Sequence, residues 1–573
     1  TPGGIDCGSD CHELVETGTA FVLTATPDAG SQFVEWSGDC VGEQRQCEFE
    51  IRANQFVVAS FTPIELPPGE AVVSVAKSGD GAGTVVSLPA GISCGAECSA
   101  TFEEGQAITL VAEAAPGSTF TGWSGSGCEG TGACSFEAVH AHVVTATFAT
   151  IQYTLTVISE GSGSVTSTPS GIACGPVCSA EFPALDNVTL TAVPGTGQEL
   201  QGWDGACDGA STTCSIEMTG DKAVTAMFVE RTIVVTSTSG GTGGAACTLR
   251  DAIKAANTDA AAGGCRAGSG ADIIVLPADA TINLVAVDNN TSGNNGLPSI
   301  TTPILIRGNG ATVQRGATET TLRLFHVGAA GHLTLEDLTV ANGHGASFGG
   351  GGMLVNGGQA VVVRSTITGN VTDTGVASLG AGIFNLRGTL TVDSSAIRQN
   401  GMHNSNFVEG PSSGAAIAVV DGTVTVTNSS LANNLSEHSA GIHAIGTSSN
   451  VYVSLSSITN NFGYGIVNEG SMWLTDTEIR ANNMDQFFGG IKNIGSAFFD
   501  RVVFENHNGD YFGTLVNSGH MEIIDSSIRS NSGGPIDGRG GIGNTGTMEI
   551  RDTQIVGNQS NDAGGGGILN FGG

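Results

Sequence analysis

From Ala311 onward one short apolar strand motif keeps returning, ending at Val313, Val340, Ile367, Ile397, Leu431, Ile458, Ile479, Phe504, Ile528 and Ile555. The intervals are 27, 27, 30, 34, 27, 21, 25, 24 and 27 residues. Repetition at such a period means that each unit buries its apolar face only against its neighbours. The period suits one coil of a parallel β-solenoid, whereas a propeller blade needs about 40 residues or more. Ten coils at about 4.8 Å per stacked strand predict a stack about 45 to 50 Å long.

Two columns accompany the anchors. Three residues after them stand Asn370, Asn400, Asn434, Asn461, Asn482, Asn531 and Asn558. Asparagine tolerates the left-handed backbone of a tight turn, and stacked amides hydrogen-bond from coil to coil, so a structural asparagine ladder is expected. Asn370, Asn434 and Asn558 also open Asn-x-Ser/Thr triplets, but a ladder accounts for all seven positions. Three residues before the anchors stand Asp337, Arg364, Asn428, Asp476, Arg501, Asp525 and Asp552. Stacking sets Arg501 between Asp476 and Asp525, which predicts a surface column of alternating ion pairs, each contributing about 0 to 1 kcal/mol.

The remaining composition agrees with an all-β chain. At 573 residues it exceeds what one core can organise, and its 87 glycines with 5% aromatic and 13% charged residues favour short strands and tight turns. The formal net charge of −34 argues against nucleic acid and anionic bilayers as partners. No run of 18 apolar residues exists and no basic-then-apolar start marks a signal peptide.

Before residue 231 the repetition is of another kind. Trp36, Trp123 and Trp203 each sit in a glycine-rich turn, 87 and 80 residues apart. Cys7/Cys11 recurs as Cys94/Cys98 and Cys174/Cys178, and Cys40/Cys47 recurs as Cys128/Cys134 and Cys207/Cys214. Fourteen cysteines in regular pairs point to an oxidising compartment. Zinc fits less well, because the second pairs are spaced wider and no histidine recurs beside them. Pairing within each close pair is expected, although four cysteines allow three connectivities. Alternating segments such as Phe21 to Thr26, Ala107 to Ala112 and Val143 to Phe148 predict small β-sandwich or β-grasp-like modules. The expected modules are 1–63, 64–149 and 150–230. In the first, Thr1 to Ile5 aligns with Thr168 to Ile172, so the counterpart of Ile151 to Ser167 is missing and the chain is expected to start inside a longer protein.

These modules resemble the divergent B-repeats of internalin-type bacterial surface proteins, through the Gly-Trp-Ser-Gly turn and the closing strand ending in Phe61, Phe148 and Phe228. That resemblance implies a cell-surface spacer and no chemistry.

The segment Cys247 to Asn257, CTLRDAIKAAN, breaks the β pattern. Leu249, Ile253 and Ala256 share one helical face, Arg250 and Lys254 another, and Thr248 with Asp251 makes a capping pair. A short helix closing the end of a solenoid is expected there. The segment resembles the signature of the CSLREA domain, with Thr for Ser and Asp for Glu, and Asp272 to Pro277 fits that family's first strand. The resemblance implies an exported bacterial β-helix protein, with Cys265 as partner of Cys247. The β-helix is thus expected over 231–573, cap 231–300 and coils 301–573, right-handed and parallel.

Parallel β-helices also host polysaccharide lyases and hydrolases. The carboxylate column could then be a calcium site or an acid/base pair, with Arg364 or Arg501 assisting. Against this, only Lys254 and Lys492 follow residue 230, and a column that recurs along the stack is structural. His344, His403, His438, His443, His507 and His520 show no relay or metal spacing and are expected at the surface. Gly349 to Gly352 and Gly564 to Gly567 are read as turns, since no following helix makes them phosphate loops. The longest insertion, Met402 to Pro411, and the flat solenoid face are where a ligand would be sought. No catalytic residue and no cofactor is expected, with structural calcium left open. The expectation is an extracellular structural or adhesive protein whose partners are a glycan, a receptor or copies of itself. The sequence ILNFGG at 568–573 matches the start of another coil, so either more coils are expected to follow or an open end is available for stacking into filaments.

Overall fold

The computed structural model describes residues 11, 12, 14, 16–27, 31–52, 54–63, 69–95, 97–139, 141–175, 177–316, 321–345, 349–373, 379–402, 414–482, 489–509, 514–533, 540–560 and 566–570. The chain divides into two compact units, Thr1–Pro194 with Leu200–Phe228, and Gly195–Glu199 with Val229–Gly573.

The first unit holds the disulfide-bonded modules. In the second module, strands Cys134–Ala138, Gln106–Ala114 and Gly83–Leu88 form one antiparallel sheet. Ser99–Glu103, Glu70–Ser78, His142–Thr150 and Ser118–Ser124 form the other, with Glu70–Ser78 and His142–Thr150 parallel. The third module repeats this plan. Strict alternation makes the sandwich: Ala71, Val73 and Val75 point into the core while Val72, Ser74 and Ala76 point away from it. Phe148 packs directly over Gly83, leaving no room for a Cβ beneath its ring, and Phe228 does the same over Gly163. Only glycine fits under those rings. The described strands of the first module form two antiparallel pairs, and its Phe61 stays 45% exposed where Phe148 is 1% exposed.

Disulfides join Cys40–Cys47, Cys94–Cys98, Cys128–Cys134, Cys174–Cys178 and Cys207–Cys214. Cys11 is also disulfide-bonded, and Cys7 lies outside the described residues. Each tryptophan clips the loop closed by its neighbouring disulfide: the indole Nε1 of Trp36, Trp123 and Trp203 donates to the carbonyls of Gln44, Gly132 and Ser211 at 2.9, 2.6 and 2.7 Å.

The second unit is a right-handed parallel β-helix. Three long parallel sheets run along it: twelve strands from Thr232–Val234 to Thr547–Arg551, eleven from Thr281–Leu284 to Gln554–Val556, and a third reaching from Phe325–Val327 to Ile568–Asn570. Each anchor residue stacks on the next, Val313 on Val340, Val340 on Ile367, and Ile367 on Ile397. Alternate residues such as Leu333 and Leu335, or Val424 and Val426, fill one continuous core.

Stacking begins earlier than the recurring motif indicates. Ile282 stacks under Val313, giving one coil more than the ten anchors, and strands at 232, 272 and 281 already belong to the sheets within the region expected to be only a cap. The polar stretch from Val285 to Ile300 hides this first coil from a periodicity count.

The helix Leu249–Thr258 covers the core end, and Thr248 caps it by accepting from Asp251 N at 3.2 Å. Cys247–Cys265 ties its start. Contrary to a two-faced helix, Arg250 is buried, bonding Asp288 at 2.8 Å and the carbonyls of Gly240, Ala286 and Gly296. A guanidinium has enough donors to satisfy a whole loop from inside it.

Candidate functional site

The corner between the twelve- and eleven-stranded sheets is made by one left-handed residue per coil. Asp337, Arg364, Ser394, Asn428, Leu455, Asp476, Arg501, Asp525 and Asp552 all have φ between 45 and 53°. The column expected to be an ion ladder is therefore also the backbone hinge of every coil it marks, and in most of them the next residue inward is a hydroxyl, with Leu338 and Val502 the exceptions. Ser395 Oγ accepts from Ser365 N at 3.0 Å, Ser429 Oγ from Ser395 N at 3.0 Å, and Ser456 Oγ from Ser429 N at 3.0 Å. These buried hydroxyls fix the register of consecutive corners.

Along this corner lies an open groove of about 730 Å³, running from Arg364 to Asp476 and Glu478. Across the three coils between its ends the hinge residues are Ser394, Asn428 and Leu455, and the residues two further on are Ala396, Ser430 and Ser457. The groove exists because the long charged side chains of the column are interrupted there. The twelve-stranded sheet forms its bank, and on that sheet's outward face, three residues before Leu455 and Asp476, Tyr452 and Trp473 stack at 4.6 Å with rings 8° apart and are 40% and 36% exposed.

The charges at both ends are engaged. Arg364 bonds Asp337 at 2.9 Å and also Glu336; Arg501 bonds Asp476 at 2.6 Å and also Asp500. The hydrogen bond from Arg501 holds the Asp476 carboxyl below the usual carboxylate range. The strict alternation with Asp525 is replaced by a bond to the neighbour in Arg501's own strand, because the side chain reaches Asp500 without crossing a coil. Glu478 is held by Arg480.

At the next corner the seven asparagines form the ladder. The Nδ2 of Asn370 donates to Asn400 Oδ1 at 2.9 Å, and the same bond runs from Asn400 to Asn434, Asn434 to Asn461, Asn461 to Asn482, and Asn531 to Asn558. Each amide also holds the anchor carbonyl of the coil before, as Asn370 holds Val340 O at 3.1 Å and Asn400 holds Ile367 O at 2.9 Å. The left-handed backbone is not theirs. It belongs to the preceding residue, Gly369, Gln399, Asn433, Asn460, Ala481, Ser530 or Gly557, since the asparagine has to aim inward while its neighbour turns the chain outside. Asn370 and Asn434 are completely buried, so their glycosylation triplets are closed to modification.

His507 occupies the ladder position of the Phe504 coil. Its Nε2 lies 3.4 Å from Asn482 Nδ2, its Nδ1 lies 3.0 Å from Asn531 Oδ1, and its ring stacks on Phe504 at 4.0 Å. Burial pushes its pKa down to about 3.

Surface placement of the histidines is thus corrected for three of them. His344, His443 and His507 are 6%, 6% and 1% exposed, because they stand on strands or the ladder where inward positions recur. His520 is exposed and His438 is intermediate, while His403 lies outside the described residues. His443 has both ring nitrogens buried without a hydrogen-bond partner, with Glu469 Oε1 at 3.8 Å; burial, then the charges of His438 and Lys492, pushes its pKa down to about 3. Burial also raises the nearby Tyr464 hydroxyl.

The glycines at 349 and 350 do more than turn the chain: their carbonyls, with Ser292 O and Asn295 Oδ1, hold the buried guanidinium of Arg323. Burial pushes Arg323 down to about 10, and burial with Arg323's charge pushes His326 down to about 4. The insertion expected to bear a ligand, Met402 to Pro411, lies outside the described residues from 403 on. Among the described residues no group of three or more His, Cys, Asp or Glu is placed to hold a metal ion.

Two features escaped the sequence reading. The hydroxyl ladder is visible as Ser or Thr two residues before most anchors. A second asparagine ladder runs along the third sheet, Asn468 to Asn493, Asn517, Asn544 and Asn570, at 2.7 to 2.9 Å.

The family model described as "Divergent InlB B-repeat domain" matches residues 3–65, 74–152 and 153–232. The capping segment at 247–257 and the coils lie outside these stretches. No curated protein matches the chain. Among solved structures, "The Bacillus anthracis TIE protein" is similar over 38% of this chain and 52% of that chain, at 7% sequence identity and a TM-score of 0.20. The similarity spans about half of that chain's length.

Proposed function

We propose that this chain is an exported structural or adhesive protein of a bacterial cell surface, in which disulfide-bonded B-repeat-like modules accompany a β-helix that offers its flank to a partner. One observation carries the reading: the same chain joins a stretch matching divergent B-repeats, a modular all-β architecture typical of surface and adhesion proteins, to a long parallel β-helix. The disulfides call for an oxidising compartment. The resemblance of residues 247–257 to the CSLREA signature points the same way. In its finer form the reading has the protein holding a surface glycan or receptor, or assembling with copies of itself. We read it as non-catalytic, because the charged side chains at the groove ends engage one another.

The test is antibody labelling and protease shaving of intact cells that produce the protein. Labelling and release of its fragments without lysis are expected. Protection until the cells are broken would sink the proposal.

A second reading, cleavage of an acidic polysaccharide, has one observation in its favour: His443, His438, Tyr464 and Lys492 lie near one another on the third sheet. Product release from pectin or alginate, abolished by His443→Ala, would establish it in place of the first.

A further inference from the structure

The groove at the first corner differs from the rest of the column in three respects. None of the residues lining it over three coils is charged, in a chain whose formal net charge is −34, and the one carboxylate that meets them there, Asp393, is held by Ser394 and Asn428. Its ends are closed by ion pairs already formed, Arg364 with Asp337 and Asp476 with Arg501. Its open stretch is lined by short polar groups, Ser394, Asn428, Ser430 and Ser457, with Leu455 exposed among them at 59%.

An anionic polymer would meet no free cation there and would be repelled by the surrounding carboxylates. A cationic ligand would meet carboxylates that already hold arginines and, at Asp393, one already engaged by the Ser394 hydroxyl and the Asn428 amide. A ligand that fits carries hydroxyls, carries no charge and exposes some apolar surface. The groove runs along the stack, so the ligand is linear: five coils from Arg364 to Asp476 span about 19 Å at 4.8 Å per coil.

The sheet that adjoins this corner supplies the apolar contact. Tyr452 stands three residues before Leu455 and Trp473 three before Asp476, in the two coils at one end of the groove, and their stacked rings are exposed on the outward face of the strands that lead into it. Stacking on each other fixes both rings before any ligand arrives, so little side-chain entropy is lost on binding. Aromatic anchors beside short hydroxyl and amide groups are the composition of a surface that binds amphipathic, polyhydroxylated molecules.

We propose that this groove, from Arg364 to Asp476 with Tyr452 and Trp473 on its bank, binds a neutral linear oligosaccharide lying along the β-helix. The proposal deepens the adhesive reading and rests on it for its biological sense, but the binding itself is measured on purified protein. Failure of surface labelling would remove that reading and leave this site intact, and the reverse also holds.

The experiment uses the full chain with saturation-transfer NMR and calorimetry against cellohexaose, xylohexaose, maltohexaose and chitohexaose, with hexagalacturonate as the acidic counterpart. Two variants are compared. Ser430→Arg with Ser457→Arg fills the groove with the kind of side chain that fills the column elsewhere. Tyr452→Ala with Trp473→Ala removes the bank from an outward face and keeps the test valid should the first variant misfold, which circular dichroism reports. At least one neutral hexasaccharide is expected to bind, with Kd raised tenfold or more in each folded variant and no binding of hexagalacturonate. Binding of hexagalacturonate alone, of none of the five, or of a neutral sugar with unchanged Kd in the folded variants would overturn the proposal.

Discussion

Asn482 Nδ2 and His507 Nε2 face each other at 3.4 Å inside the β-helix, and His507 passes the same hydrogen-bond direction on to Asn531 through Nδ1 at 3.0 Å. With the proton on Nδ1, the imidazole accepts from one coil and donates to the next, as each asparagine of the ladder does. A protonated ring has no acceptor left for Asn482.

The buried ring makes stability depend on pH. Its pKa is lowered from the ordinary 6.5 to about 3, so the unfolded chain takes up the proton first. The contribution is whole above pH 6.5 and is lost as pH falls from there toward 3, at up to about 1.4 kcal/mol per pH unit. His507→Asn restores the ladder without a titrating group. Denaturant midpoints measured from pH 7 to 4 should fall less steeply in His507→Asn than in the parent; parallel slopes would contradict the assignment.

Ladder positions should differ in cost by burial. Asn434→Ala strips partners from Asn400 N, Ile397 O and Asn461 Oδ1 in a closed interior, a loss of about 2 kcal/mol or more. Asn558→Ala, at a partly exposed site, should cost less. Chemical denaturation of both variants gives the comparison, and equal costs would count against a buried ladder.

At the capped end, Asp288→Ala leaves Arg250 buried without its carboxylate. Side-chain exposures of 8% and 10% place the pair where removing one partner costs about 3 to 5 kcal/mol. Asp476→Ala, on an exposed and solvent-screened pair, should cost far less. Amide exchange in 249–258 is expected to rise in Asp288→Ala and to stay unchanged in Asp476→Ala.

Reduction should loosen the modules more than the β-helix, where Cys247–Cys265 ties the capping helix and not the coils. Three of the four tryptophans, Trp36, Trp123 and Trp203, clip loops closed by disulfides, and each short bridge contributes about 2 kcal/mol. Dithiothreitol is expected to lower the tryptophan-fluorescence midpoint by more than it lowers the far-ultraviolet transition. Coincident shifts would show that the modules do not unfold by themselves.

Much of this architecture was legible because stacking forces the same residue type to return at one position. The anchors from Val313 to Ile555, the asparagine column and the Thr248 cap are signals of that kind. The Ile282 coil was hidden, since the polar stretch behind it breaks the period. The hydroxyl ladder was overlooked because Ser365 or Ser429 reads equally well as an ordinary turn residue. His507 resisted recognition for a different reason: it substitutes once in a column of asparagines, and only the known register shows that its two nitrogens replace one amide. The groove was illegible for the same cause, being a run of short side chains that come together only when coils are stacked.

Register between coils is therefore what the whole account rests on, and pulsed electron spin resonance measures it. Thr391, Thr425, Tyr452, Trp473, Phe498, Glu522 and Glu549 occupy one outward position in successive coils. Spin labels at Thr391 and Phe498 should lie about 19 Å apart and labels at Thr391 and Glu549 about 29 Å apart, at 4.8 Å per coil. A distance that grows in this proportion supports the stack. Two labels no farther apart at Glu549 than at Phe498 would contradict it.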